Sequence, residues 1–208
     1  MNGIMDAMRT KNHPSIERLA DLQQLIIDFS QVMRVPQLGN TGRLENDIDH
    51  SYGLALVCWF LAPKIAPQLS MEKIFKYALA HDIVELYAGD TFVFAHKDVL
   101  ATKSQREDAA ITRLESEWPD FKDLTDATKG YKDKINEEAK FVKAVDKILP
   151  LLVIELGESS DFWNRHKITL DMEVENKVTM KVSEHIAPYY DQVIEWLEER
   201  GNMHTPVK

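Results

Sequence analysis

A histidine and an aspartate stand side by side in an apolar run, Phe75-Lys76-Tyr77-Ala78-Leu79-Ala80-His81-Asp82-Ile83-Val84-Glu85. Bracketed by Leu79, Ile83 and Val84, both polar groups are costly to bury unless one partner satisfies them together. A divalent cation is the most efficient such partner, and it constrains the fold, because its remaining ligands must come from distant parts of the chain. Upstream His50 and downstream Asp146, which sits in the apolar run Phe141-Val142-Lys143-Ala144-Val145-Asp146-Lys147-Ile148-Leu149, are the candidates. Each alone has an ordinary reading: His50 as a hydrogen-bonded structural histidine, Asp146 as the partner of a nearby Lys or Arg. The combination points to a site of two imidazoles and two carboxylates. His13, His96, His166, His185 and His204 lack such surroundings and read as surface or structural residues.

The punctuation of the chain is helical. Apolar spacing after Ser15 predicts a first helix over about 14–33, followed by a loop at 35–46 rich in Pro and Gly. A second helix is expected from Asp47 to about Leu61, stopped by Pro63. Ser70 is a good N-cap for a third, which carries His81, Asp82 and Glu85 and ends near Gly89. A loop over 90–102 precedes an amphipathic helix at 103–118, and 119–135 reads as polar and mostly irregular. Asn136, Glu137 and Glu138 open a helix to about Leu156, with Pro150 expected to kink it. After a polar connection to Lys167, a long terminal helix runs from about 170 to 199, with an interruption at Pro188 left open. No strand alternation stands out. The expectation is an all-α single domain over 14–200, with an extension at 1–13 and a loose tail at 201–208.

The chain has 208 residues and a net charge of -9. That balance argues against broad attraction to a nucleic acid duplex or an anionic membrane. No uncharged apolar stretch is long enough to span a bilayer, and the N-terminus lacks a signal-peptide run. The lone cysteine, Cys58, lies in an apolar segment and cannot form an internal disulfide, which points to a core role and a reducing, cytoplasmic setting.

Three segments together resemble the HD superfamily of metal-dependent phosphohydrolases, and within it the 5'-deoxynucleotidases. Arg43-Leu44-Glu45-Asn46-Asp47-Ile48-Asp49-His50-Ser51 is similar to their R-x-E-N-x-x-E-H-S segment, with Asp49 one methylene shorter than the usual Glu. His81-Asp82-Ile83-Val84-Glu85-Leu86-Tyr87-Ala88-Gly89-Asp90 resembles H-D-x-x-E-x-x-x-G-D. Glu137 to Lys147 is similar to the helix that carries the last metal aspartate. The resemblance covers roughly residues 16–156, and three motifs in order are far more specific than one.

The resemblance implies a helical bundle of the HD-domain type, with His50, His81, Asp82 and Asp146 as metal ligands. Glu85 would orient or activate the attacking water, or protonate the leaving oxygen. Asp90 would hold a sugar hydroxyl or assist the water. Arg34 would bind phosphate, and Arg43 would brace the site or contact phosphate. Val35 and Pro36 stand where an aromatic residue often follows the phosphate arginine. The mixed N/O ligand set suits one divalent transition metal (Mn, Fe, Co, Ni or Zn) without choosing among them. The expected reaction is release of phosphate from a (deoxy)nucleoside 5'-monophosphate. A dNTP triphosphohydrolase is the alternative within enzymes, and a non-catalytic nucleotide-sensing module the alternative outside them. Arg34, Arg43, Lys97 and Lys103 look scattered, with no further cluster for a triphosphate tail, which favours a monophosphate. Two readings of the terminal helix stay open: Ile186, Val193, Ile194, Trp196 and Leu197 either offer a homodimer surface or pack on the core.

Overall fold

A computed structural model describes residues 13–178 and 181–206. The expected extension at 1–13 therefore lies, but for His13, outside the described residues. The fold is all-α apart from one short ribbon. Helix α1 spans Ile16–Phe29 and starts at Ser15, whose hydroxyl accepts the Arg18 amide. The segment read as helix end and loop instead forms two antiparallel strands, β1 (Met33–Gln37) and β2 (Leu44–Asn46), joined through a single 3-10 turn at Gly39–Thr41. Its Pro and Gly residues punctuate a hairpin, whose irregular register hides any alternation.

Helix α2 (Asp47–Ile65) opens on a reciprocal cap: the Asn46 side chain accepts from the Asp49 amide and Asp49 accepts from the Asn46 amide. This cap sets His50 in the first turn. The helix runs on through Pro63, which falls in the last turn, where one lost hydrogen bond is tolerated. Helix α3 (Met71–Ala80) starts at Ser70, as expected, but ends at Ala80. Residues 81–84 form tight turns, and a four-residue helix α4 (Glu85–Ala88) follows, closed by Gly89. Gly89 has φ 73° and ψ 149°, a conformation open essentially to glycine alone.

Helix α5 (Lys97–Glu117) begins earlier than its polar first turns suggest. Residues 119–135 are not irregular: Lys122–Asp133 form α6, which buries Thr125, Ala127, Thr128, Gly130 and Tyr131 on one face. That face is made of small and hydroxylated residues, so hydrophobicity alone does not reveal it. Helix α7 (Glu137–Leu156), capped by Asn136, continues through Pro150. The polar connection after it contains α8 (Ser160–His166), which fully buries Phe162 and Trp163. The terminal helix is two helices, α9 (Leu170–Val178) and α10 (Ala187–Arg200), the second with Pro188 in its first turn.

The central helix α7 packs against α2, α3, α6, α10 and β1. Leu54, Cys58, Ile74, Ala78, Phe141 and Val142 are wholly buried between them. Burial pushes the Cys58 thiol up, so it is an inert core group. On α10, Leu197 and, just before it, Ile186 are buried while Val193 and Ile194 pack partly, so the terminal residues serve the core. A Cβ at Gly157 would stand 2.7 Å from the Gln37 carbonyl oxygen, so glycine lets the end of α7 approach β1. Residues after Gly201 return to the domain: Asn202 donates to Glu155, and the His204 amide to the Ile168 carbonyl. No helix among the described residues is long and apolar enough to cross a membrane.

Candidate metal centre and substrate pocket

His50 on α2, His81 and Asp82 in the turn after α3, and Asp146 on α7 converge, with one ligand atom from each within 4.8 Å of the others. His50 Nε2 lies 3.1 Å from Asp146 Oδ1, and His81 Nε2 lies 2.9 Å from Asp82 Oδ2 and 3.9 Å from Asp146 Oδ1. The break at 81–84 matters here, because neighbours on a continuous helix point apart. Released from the helix, His81 and Asp82 aim at one point.

The arrangement fits a cation on its own evidence. His81 Nδ1 donates to the Ala78 carbonyl at 2.9 Å, which turns its buried Nε2, otherwise without a hydrogen-bond partner, toward Asp82 and Asp146. The His81 imidazole is thus oriented from behind by a hydrogen bond. His50 Nδ1 faces Glu45 at 3.5 Å without a hydrogen bond, and its Nε2 is the nitrogen bonded to Asp146. Burial opposes charge on His50, but Asp146 and Glu45 beside it win and push it up to about 9. A mixed set of two nitrogens and two carboxylate oxygens suits a divalent transition metal.

A second carboxylate group adjoins the first: Asp47, Asp82 and Glu85. Burial and the neighbouring Asp82, Asp90 and Asp47 push Glu85 up to about 10, and burial with Asp82 raises Asp47 to about 7. Asp82 goes the other way: despite burial, His81 and Arg34 hold it below the usual carboxylate range. Arg34 on β1 donates to Glu45 (3.2 Å), Asp47 (3.2 Å) and Asp82 (2.9 Å). Glu45 and Asp47 stand inside the first sequence motif, yet their roles emerge only from these contacts.

A cavity of about 380 Å³ opens over this cluster, lined by His81, Asp82, Glu85, Asp90, Arg34 and Asp146 among others. The size suits a small-molecule ligand. Gly89 and Arg106 place Asp90: Arg106 donates to the Ala88 carbonyl and to Thr91 Oγ1. Arg43 is not in the lining; it is half-exposed and pairs with Asp49 at 2.6 Å, so its contact is the brace and not the pocket. One end of the cavity is apolar, with Val35, Phe92, Phe94, Leu151, Ile154 and Phe162. The Phe92 ring meets Phe94 and Phe162 edge-on at 5.7 and 6.2 Å.

The cations expected to be scattered, Arg34, Arg43, Lys97 and Lys103, divide: Arg34 and Lys103 line the cavity, and Arg43 and Lys97 do not. Lys103, Lys132, Lys134, Lys143 and Lys147 all line the same cavity. Lys143 and Lys147 lie 3.4 and 3.2 Å from Asp146 Oδ2, the oxygen to which the Tyr131 hydroxyl also donates at 2.7 Å. Burial and Lys147 push Lys143 down to about 8. On a helix rich in both charge and apolar residues, such lysines read as solvent-facing, and only the pairing of α6 with α7 turns them inward.

Two helices and the turn after α3 bring two histidines and two aspartates together beside the cavity, a group that could hold a metal ion. The HD-domain profile matches residues 30–187, and the chain belongs to the HD-domain family. Among curated proteins it is similar to the mouse 5'-deoxynucleotidase HDDC2, 28% identical over 152 residues (70% of this chain and 73% of the relative). The human protein of that name is 29% identical over 146 residues, covering 67% and 69% of the two chains. Among solved structures, a predicted metal-dependent phosphohydrolase from Magnetospirillum magnetotacticum shares the fold, with a TM-score of 0.75, 24% identity, and coverage of 92% of this chain and 99% of that one. A conserved hypothetical protein from Pyrococcus furiosus gives 0.58 at 22% identity, covering 85% and 99%.

Proposed function

We propose that this chain is a metal-dependent phosphohydrolase that releases phosphate from a (deoxy)nucleoside 5'-monophosphate. The observation that carries this reading is the four-ligand cluster at the floor of a pocket whose far end is aromatic. His50, His81, Asp82 and Asp146 would hold one divalent transition metal, which supplies an activated water and offsets charge on the phosphoryl group. Arg34 steadies Asp82 and presents its remaining donors to phosphate. Glu85, buried and raised toward its neutral form, is placed to hold or deliver the proton that moves between water and leaving oxygen. Asp90, on the cavity wall, would hold a sugar hydroxyl, and Phe92, Phe94 and Phe162 would supply the apolar end for the nucleoside. The names of the curated relatives support the same substrate class.

The test is phosphate release from a panel of nucleoside mono- and triphosphates with added Mn or Co. Glu85→Gln is expected to keep its metal and bind nucleotide while turnover falls by about 10²–10⁴. Undiminished turnover removes Glu85 from the reaction, and no release from any nucleotide sinks the reading.

We also propose that two copies pair, through a face made by α2 together with part of the terminal helix α10. Tyr52, Leu56, Trp59 and Phe60 form a stripe on α2 and are 65%, 44%, 58% and 64% exposed. Aromatic side chains so exposed leave on the order of 100 Å² or more each. Beside them runs an apolar groove lined by Leu56, Phe60, Leu152, Tyr189 and Val193. Two such faces together approach the ~1,200 Å² of a specific interface. The lone buried Cys58 supports a cytoplasmic setting.

A further inference from the structure

We propose that Tyr131 is a positioning residue for the metal centre: its hydroxyl ties up Asp146 Oδ2, so that Asp146 reaches the ion through Oδ1 alone and leaves a coordination position free for water or a phosphate oxygen. This rests on the metal reading of the four-residue cluster and not on the identity of the substrate.

A carboxylate can grip a cation with one oxygen or with both. The choice matters at a hydrolytic centre, because every position taken by protein is lost to the attacking water and the substrate oxygen. Four ligand residues already meet in the cluster. An aspartate that chelated the ion would close one more place.

The two oxygens of Asp146 have different surroundings. Oδ1 lies 3.1 Å from His50 Nε2 and 3.9 Å from His81 Nε2, on the side where the ligands converge. Oδ2 accepts from the Tyr131 hydroxyl at 2.7 Å and has Lys147 and Lys143 Nζ at 3.2 and 3.4 Å. A carboxylate oxygen offers about two acceptor sites, so these three donors fill it. Turning Oδ2 to the ion would strip a buried hydroxyl of its acceptor, which is costly.

Among the three donors, the phenol decides. The two ammonium groups lie beyond the roughly 2.7–2.9 Å of a tight charge-assisted bond. They also hang on flexible stems that follow the oxygen as it turns. The phenol cannot follow. Tyr131 is 4% exposed, its ring meets the His81 ring edge-on at 5.3 Å, and Lys143 Nζ stands 4.6 Å from its centre. Its helix is fixed as well. Thr128, one turn earlier on the buried face of α6, donates to the Ala80 carbonyl at 3.3 Å, next to His81. Helix α6 therefore sets the outer oxygen of Asp146 against the turn that carries His81 and Asp82. The lysines stand on α7 with Asp146 itself and supply no such reference.

The test is a count of metal-bound water in the Mn-loaded protein, by pulsed electron paramagnetic resonance in heavy water. Octahedral Mn held by four single-atom ligands leaves about two positions for water. Tyr131→Phe removes only the hydroxyl and is expected to lose about one of those waters as Asp146 chelates. Glu155→Gln, which weakens the far end of α7, is expected to keep the wild-type count, so that lost stability alone does not produce the change. An unchanged count in Tyr131→Phe, or the same loss in Glu155→Gln, overturns the role. A wild type that holds about one water overturns it too, and that measurement stands even if Tyr131→Phe does not fold. A wild type that takes up no Mn after chelation overturns the metal reading itself, whereas Mn uptake with an unchanged count overturns the positioning role alone.

Discussion

His50 shows how much a single residue carries. Its ring is wholly buried, faces Asp146 with one nitrogen and Glu45 with the other, and lies 5.4 Å from the ring of His81. Such a cluster stores like-charged carboxylates that a cation relieves. Removing metal with EDTA is therefore expected to lower the melting temperature, by about 5–10 °C at a metal concentration near 100 Kd. His50→Ala should abolish the difference between the chelated and loaded forms. Identical melting curves for chelated and loaded wild type would contradict a bound ion. Among the candidate metal ligands, His81, Asp82 and Asp146 were legible as polar residues stranded in apolar runs, whereas His50 stands in a polar segment and was marked by the motif around it. Tyr131, Lys143 and Lys147 were not, because a tyrosine in a polar stretch and lysines on an amphipathic helix carry no sign of facing inward. Arg34 was legible as a position, but its three carboxylate partners were not.

Local rules read most helix starts correctly. Ser15, Asn46, Ser70 and Asn136 all cap as their chemistry predicts. They failed where tertiary contacts decide. The break after Ala80 follows no Pro or Gly; there the Thr128 hydroxyl on α6 donates to the Ala80 carbonyl, a tertiary contact that local spacing does not announce. The β1–β2 hairpin is two short strands with irregular register, too little for alternation to show. Helix α8 was missed although Phe162 and Trp163 anchor it, and its environment explains why it holds. Glu155, at the end of α7, accepts from Trp163 Nε1 at 2.9 Å, from Ser159 at 3.2 Å, and from Arg200 and Asn202. Burial opposes this charge, but those four donors hold the Glu155 carboxyl below its ordinary value. A group with a depressed folded-state pKa stabilises above its unfolded pKa and loses that contribution as pH falls through the folded one. Glu155→Gln is thus expected to melt several degrees lower at pH 7, with the gap to wild type closing below about pH 4. A gap that stays constant from pH 7 to pH 3 would show that packing, and not charge, is what Glu155 contributes.

At the scale of the molecule, the all-α architecture was readable from punctuation and the bundle centre from the apolar faces of α2, α3 and α7. The outer apolar stripe was not, since Leu54-Ala55-Leu56-Val57-Cys58-Trp59-Phe60-Leu61 is apolar on every side and does not say which side faces out. Sedimentation velocity is expected to give a dimer for the wild type and a folded monomer for Trp59→Glu with Phe60→Glu. A wild type that sediments as a monomer at tens of micromolar would leave the stripe without its assigned partner.

Asp146 divides its labour between two oxygens, one toward the imidazoles and one toward Tyr131, Lys143 and Lys147. Whatever draws electron density to the first oxygen weakens the hold of the second on the ammonium groups. A cation bound at the first oxygen would compete with the ammonium groups for one carboxylate, and any such linkage would act by the same factor in both directions.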